Sequence, residues 1–210
     1  MPKQERAVAT RASILQSAAQ VFDDRGYAGS SLDTVAELAG VTKGALYFHF
    51  SSKEDLASAV IAEQHRISRN YAEAAMTSSR STLEAMMLMC RGLAVQLIDE
   101  PLVSAGIRLT TDSSSRHLGI QVPYADWIAT FENLLTVAQA EGAISSNVSP
   151  AVVARFIIPA YTGVQMVSDV LTHREDLFVR VREMWQIMLP GLVPVDGLEA
   201  AQALTVRIRR

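Results

Sequence analysis

Ser30-Ser31-Leu32-Asp33-Thr34-Val35-Ala36-Glu37-Leu38-Ala39-Gly40-Val41-Thr42-Lys43-Gly44-Ala45-Leu46-Tyr47-Phe48-His49-Phe50-Ser51-Ser52-Lys53 reads as two short helices separated by a tight break. Ser31 is placed to N-cap the first, and Asp33 lies in its first turn, where a negative charge is favoured. Leu32, Val35, Ala36, Leu38 and Ala39 give it an apolar face at helical spacing. Gly40 ends it, because the turn needs a residue that tolerates positive φ. Thr42 caps the second helix, which carries Leu46 inward and ends near Phe48. The small Ala36, the turning Gly40 and the apolar Leu46 have the spacing of a helix-turn-helix, whose second helix enters the DNA major groove.

The surface of that second helix has a charge asymmetry. Lys43, Gly44, Tyr47 and His49 lie on it or at its end, Lys53 follows, and no acid stands between Thr42 and Ser52. Such a face suits phosphates and base edges. The competing reading is an ordinary helical hairpin with core aromatics. We expect Phe48 and Phe50 to be core, since Phe is usually buried, and Lys43, Tyr47 and Lys53 to face DNA.

The run Thr42-Lys43-Gly44-Ala45-Leu46-Tyr47-Phe48-His49-Phe50, followed by Ser52-Lys53-Glu54-Asp55-Leu56, resembles the DNA-binding signature of TetR-type repressors. The match extends from Arg6 to Gln64. Gln4-Glu5-Arg6-Ala7, Thr10-Arg11, the Gly-Ala-Leu-Tyr-Phe-His-Phe run and Trp127 are similar to actinobacterial γ-butyrolactone-type autoregulator receptors. The resemblance implies an all-α fold, with an N-terminal three-helix head over 1–53 and a ligand-binding, dimerising body over 54–210. A linker helix joins them. It also implies double-stranded operator DNA, a small lipophilic effector and a homodimer as partners.

The 210 residues suffice for a head and a body with a real core. The net charge of −3 argues against a nucleic-acid partner by itself. Placement answers this in part: all three lysines, Lys3, Lys43 and Lys53, fall in the first quarter, with six basic residues against five acidic up to Lys53. Affinity for DNA must then come from where the charges stand. The single cysteine, Cys90, excludes a disulfide framework and reads as packing. The opening residues are polar and no apolar run is expected to reach transmembrane length, so a cytoplasmic protein without a membrane partner is expected.

Along the chain, Met1 to Ala9 is a polar arm carrying Lys3 and Arg6, either frayed or following the duplex backbone. The first helix spans about Ala7–Arg25, with Ile14, Leu15, Ala18, Val21 and Phe22 inward and Gly26 as its stop. Arg11 lies near its start, within reach of a phosphate. The DNA-facing set is therefore Lys3, Arg6, Arg11, Ser31, Thr42, Lys43, Gly44, Tyr47, His49 and Lys53. Ser51 and Ser52, with Glu54 and Asp55, form a capping pattern that opens the linker helix. Its inward stripe is Leu56, Val60, Gln64, Ile67 and Tyr71. A buried amide on that stripe needs partners; it is either a structural link between helices or a ligand contact.

Ser81-Thr82-Leu83-Glu84 is a second capping box, followed by a Met-rich helix. Met86 and Met89 suit both a core and a pocket for an alkyl chain. Thr110 to Gly119 is loop-like, and His117 there reads as a solvated loop residue without a metal-ligand partner. Tyr124, Trp127 and Phe131 line one helical face. Trp127 needs an acceptor for its N–H if buried, and the resemblance places it in the ligand pocket, with Tyr124 as a second polar contact. Pro150 opens a helix that is apolar nearly all round and should kink at Pro159. Thr162 after the break is either a pocket hydroxyl or satisfied within its own helix. A helix of this kind needs cover on more than one side, and a second subunit supplies it. With the helix over about Arg174–Met188, stopped by Pro190-Gly191, it would build a four-helix interface through Phe156, Tyr161, Val164, Phe178, Val181 and Trp185. The Arg-rich tail from Gly197 reads as mobile and solvated.

No catalytic constellation, cofactor loop or metal cluster is assembled by these residues. The function expected is a ligand-released transcriptional repressor. Its rivals are a drug-responsive efflux regulator, an antibiotic-responsive pseudo-receptor and a ligand-independent architectural DNA protein. A small helical hydrolase or isomerase is the enzyme alternative.

Overall fold

The computed structural model describes residues 3–115, 117–118 and 120–210, with the Lys3 side chain outside the described set. The described residues form ten α-helices and no strand. They are α1 Lys3–Arg25, α2 Leu32–Leu38, α3 Lys43–His49, α4 Lys53–Ser78, α5 Thr82–Asp99, α6 Pro101–Thr111, α7 Gln121–Ala140, α8 Pro150–Thr172, α9 Leu177–Leu192 and α10 Leu198–Leu204. They divide into two compact units, Met1–Ser68 with Gln96–Gln121, and Arg69–Val95 with Val122–Arg210.

The first unit is built on local signals that act as read. The Thr34 N–H donates to Ser31 Oγ at 3.1 Å and the Ala45 N–H to Thr42 Oγ1 at 3.2 Å, so both short helices are side-chain capped. Gly40 sits at φ +65° between them. The Asp55 N–H donates to Ser52 Oγ and the Ser51 N–H to Asp55 Oδ2, closing a reciprocal box at the start of α4. Ile14, Phe22, Val35, Leu46, Phe50, Leu56 and Val60 share one core. Leu102, Ala105 and Leu109 of α6 complete it, so this unit holds more of the chain than its first helices. Gly106 is where α6 approaches α4: a Cβ there would lie 2.4 Å from Gln64 Cβ.

Two expected core residues of this unit are outside it. Phe48 is 80% exposed, whereas Phe50 is buried as expected. Leu38 is also about half exposed. His117 is exposed, as expected, but is not without contacts: it packs edge-on against the Tyr27 ring at 5.4 Å and meets its hydroxyl at 3.3 Å.

In the second unit α8 packs on α9, and α10 on α9. α8 is one helix across Pro159, which has no N–H to give to the ladder, and α9 runs past Pro190-Gly191 to Leu192. Pro150 takes the first helical position, though Ser149 gives no side-chain cap. The tail is not a solvated appendage. Thr205 and Ile208 are buried, Arg207 pairs with Glu84 of α5, and Arg91 donates to the Arg209 carbonyl at 2.6 Å.

Candidate DNA and effector sites

The solvent face of α3 follows from its inner face. Leu46 points into the core, and Phe50, one turn later, closes it. Residues half a turn away must then point out. Thr42, Lys43, Gly44, Tyr47 and Phe48 are exposed, with His49 half-buried at the helix end. Phe48 and His49 meet edge to face at 5.1 Å. A Cβ built on Gly44 meets nothing within 4 Å, so no intramolecular packing demands glycine there.

Lys43 Nζ lies 2.7 Å from Asp33 Oδ2 across the turn, both side chains being well exposed. The hydrogen bond to Asp33 holds the ammonium above its ordinary value. The pair is in water, where such contacts contribute little to stability.

The other DNA-facing candidates divide. Ser31 is the N-cap of α2, its hydroxyl also 2.9 Å from Thr34 Oγ1. Arg6 is exposed on the first turns of α1. Arg11 is exposed with its guanidinium 5.0 Å from the Phe50 ring centroid, which orients it. The Lys3 side chain lies outside the described residues. Lys53, expected to face DNA, is engaged within the chain instead. Its ammonium donates to the carbonyls of Tyr27 at 2.9 Å and Ser30 at 3.2 Å, and sits 4.4 Å over the Tyr27 ring. It ties α4 to the α1–α2 connection and is a positioning residue. Tyr27 is itself buried and donates to Glu54 Oε1 at 3.0 Å. Burial, then the Glu54 carboxylate, pushes its phenol up to about 12, so it stays a neutral donor.

The effector candidates occupy both units. In the first, Gln64 is buried and its amide donates to Ser68 Oγ at 3.0 Å; Ser68 donates on to Gln96 Oε1 at 2.8 Å. Gln64 Oε1 is buried and makes no hydrogen bond to the described residues. The structural reading of this glutamine thus accounts for one end of the amide and leaves the other open. A cleft of about 410 Å³ in the same unit, between α1 and α2, has Asp24 and Glu37 in its wall. Those acids make it a poor seat for a lipophilic molecule.

In the second unit Met86 and Met89 of α5 are buried, and Tyr124 and Trp127 of α7 are half-buried. Thr162 donates to the Ile158 carbonyl at 2.9 Å, one turn back, so its proton is satisfied within α8. Burial pushes the Cys90 thiol up to about 12, which makes it unreactive.

The residues expected at a subunit interface also divide. Phe156 is 59% exposed, and Val164 and Phe178 are half-buried. Tyr161, Val181 and Trp185 are buried within the chain's own core, which corrects their assignment to a partner-facing surface. What α8 does expose is a different stripe: Val152, Phe156, Met166, Val167, Val170 and Leu171. Gly163 lies on it with open space above its backbone. The helix is long and apolar enough to cross a membrane on length and composition alone. Its opposite face, through Ala154, Ile157, Tyr161, Gln165 and Ser168, is buried in protein.

Comparison with known proteins accounts for both units. Residues 14–60 match the family described as bacterial regulatory proteins, tetR family. Residues 80–194 match the tetracyclin repressor-like C-terminal domain. The A-factor receptor protein of Streptomyces griseus is 36% identical over 192 residues, covering 91% of this chain and 67% of that protein. A crystal structure of a γ-butyrolactone receptor described as ArpA-like superposes with TM-score 0.81 at 35% identity, covering 97% of this chain and 98% of that one. The tetR-family protein CprB of Streptomyces coelicolor, in complex with its biological operator sequence, gives TM-score 0.81 at 33% identity over 98% of each chain. With both its helix-turn-helix and its body matched, the chain belongs to the tetR family of bacterial transcriptional regulators.

Proposed function

We propose that this chain is a cytoplasmic homodimeric repressor that holds a pseudo-palindromic operator and releases it when a small lipophilic effector of the γ-butyrolactone type enters the body. The observation that carries the reading is the pairing of two exposed faces. One is the acid-free α3 surface of Lys43, Gly44, Tyr47 and Phe48; the other is the apolar stripe of α8. A stripe this long on a lone subunit is an association surface. Two-fold pairing through α8 and α9 would give one assembly two α3 helices, the number a pseudo-palindrome needs. The similarity to receptors named for A-factor and γ-butyrolactone supports the effector class.

On the operator, Lys43 contacts phosphate or a guanine edge, Gly44 lets the backbone approach, and Tyr47 and His49 reach phosphates. Phe48 adds an apolar surface for a thymine methyl group. Trp127 is the effector contact on α7, with Tyr124 beside it on the same face and Met86 and Met89 for the alkyl part. Selection from a random duplex library followed by footprinting tests the reading. The expected result is a protected pseudo-palindrome, vacated on adding an alkyl γ-butyrolactone. Protection that ignores both sequence and lactone would favour an architectural DNA protein. Vacation by lipophilic drugs but not by lactones would favour an efflux regulator. Trp127→Ala is expected to keep the footprint and lose the release.

A further inference from the structure

The buried stripe of α8 changes character along its length. It is apolar through Val153, Ala154 and Ile157, then polar at Tyr161, Gln165 and Ser168, at steps of four and three. Ser168 has its partner, donating to Asp176 Oδ1 at 2.6 Å. Tyr161 does not. Its hydroxyl is buried and makes no hydrogen bond to the described residues. Trp185 of α9 is 0% exposed, and its indole N–H is also buried without one. That N–H acts on the Cys90 thiol of α5 as a weak donor to sulfur, and Cys90 is in turn within electrostatic reach of Tyr161. Three helices therefore bring two strong donors and one neutral thiol into one buried region.

Buried donors are nearly always satisfied, and two unsatisfied ones near each other call for a shared explanation. Both groups donate, and neither has an oxygen or nitrogen acceptor among the described residues. The Arg174 guanidinium also acts on Tyr161 electrostatically. A cation is therefore unwelcome there, while an oxygen acceptor suits all three groups. Met86 lies one turn before Cys90 on the same face of α5 and is fully buried. An apolar, adaptable wall thus adjoins the donors.

We infer that Tyr161 and Trp185 form the polar end of the effector site, donating to a lactone or ester carbonyl whose alkyl chain runs along α5 past Met86. This rests on the proposed effector reading and adds the residues that recognise its oxygen. It places recognition on α8 and α9, in addition to Trp127 of α7.

The test uses the full chain and two probes: a γ-butyrolactone bearing a medium-length alkyl chain, and the matching tetrahydrofuran without the ring carbonyl. Calorimetric titration of the wild type is expected to favour the lactone by at least about tenfold, the usual effect of a buried hydrogen bond. Tyr161→Phe, which keeps the ring and the packing, is expected to bring the two probes close together. Trp185→Phe does the same in part, and operator binding by both variants is unchanged. If both variants keep the wild-type preference for the lactone, the donors are structural and the inference falls, while the effector reading stands. If the wild type binds the two probes equally, the carbonyl is not recognised and the inference also falls. If it binds neither probe, the lactone reading falls with it.

Discussion

Two helices of this chain expose large apolar side chains, and they do so in different company. α3 is one of the shortest helices and shows Tyr47 and Phe48 beside Lys43 and Gly44. α8 has 23 residues and shows Val152, Phe156, Val167 and Val170 with scarcely a charge among them. An aromatic pair next to a cation and a glycine fits a surface that is itself charged and grooved. A long uncharged stripe fits only another apolar stripe. In the proposed dimer, α8 would set operator affinity indirectly, by joining two subunits, and α3 directly.

The contrast breaks most sharply at α8. Replacing Phe156 and Val170 together with Glu leaves the buried face of the helix untouched. Sedimentation should show a dimer becoming a monomer, and operator affinity should fall by more than about a hundredfold, since one head contacts only half a site. A doubly substituted protein that remains dimeric would show that some other surface pairs the subunits.

Gly44→Ala comes next. Nothing within the chain would meet the new methyl group. Alanine is the better helix former by about 1 kcal/mol, so thermal stability should rise slightly. Operator affinity should fall by about tenfold or more if backbone and DNA come into contact. Unchanged affinity in a gel-shift titration would show that α3 does not approach the duplex at this residue.

Lys43→Gln tests charge on the same surface. Binding should weaken and the log–log salt slope should flatten by about one unit, the value for one phosphate contact. Asp33→Asn is the control for the Lys43–Asp33 pair. Freed from its neighbour, the lysine should bind DNA somewhat more tightly at low salt. If Asp33→Asn instead weakens binding, the carboxylate orients Lys43 rather than competing for it.

Much of the head was legible because its signals are local. Ser31, Gly40, Thr42 and Ser52 each act within four residues, and each acts as its residue type predicts. Phe48 was misjudged on composition, though the spacing held the answer. Leu46 and Phe50 fix the inner face, and Phe48 lies about 200° around the helix from each. The body was less legible for a physical reason. α8 is apolar on nearly every side, so periodicity cannot say which side meets its own chain and which remains bare. That is why Tyr161 was placed on a partner surface; Val181 and Trp185 lie on the one stripe of α9 that the chain itself covers. The partnership of His117 with Tyr27, and of Arg207 with Glu84, joins residues 90 and 123 positions apart, and no local pattern carries such information.

The smallest effect lies where α8 hands over to α9. Asp176 accepts from Ser168 at 2.6 Å, Thr172 Oγ1 at 2.8 Å and Arg180 Nε at 2.6 Å. The Ser168 hydrogen bond leads the causes that bring its carboxyl down from 3.8 to about 2. A carboxyl lowered in the fold stabilises it fully above the unfolded value and ceases to do so as pH falls through the folded one. The contribution of Asp176 is therefore complete above about pH 4 and fades toward pH 2. Asp176→Asn retains an acceptor but removes the charge, so it should be less stable than wild type at neutral pH by a constant margin. Urea unfolding at a series of pH values should show that margin narrowing only below about pH 4. Glu54, Glu84 and Asp112 are also held low, but they titrate in both proteins, and the difference between the two isolates Asp176. A margin that persists unchanged at pH 2 would mean that the loss comes from shape at the α8–α9 junction rather than from charge.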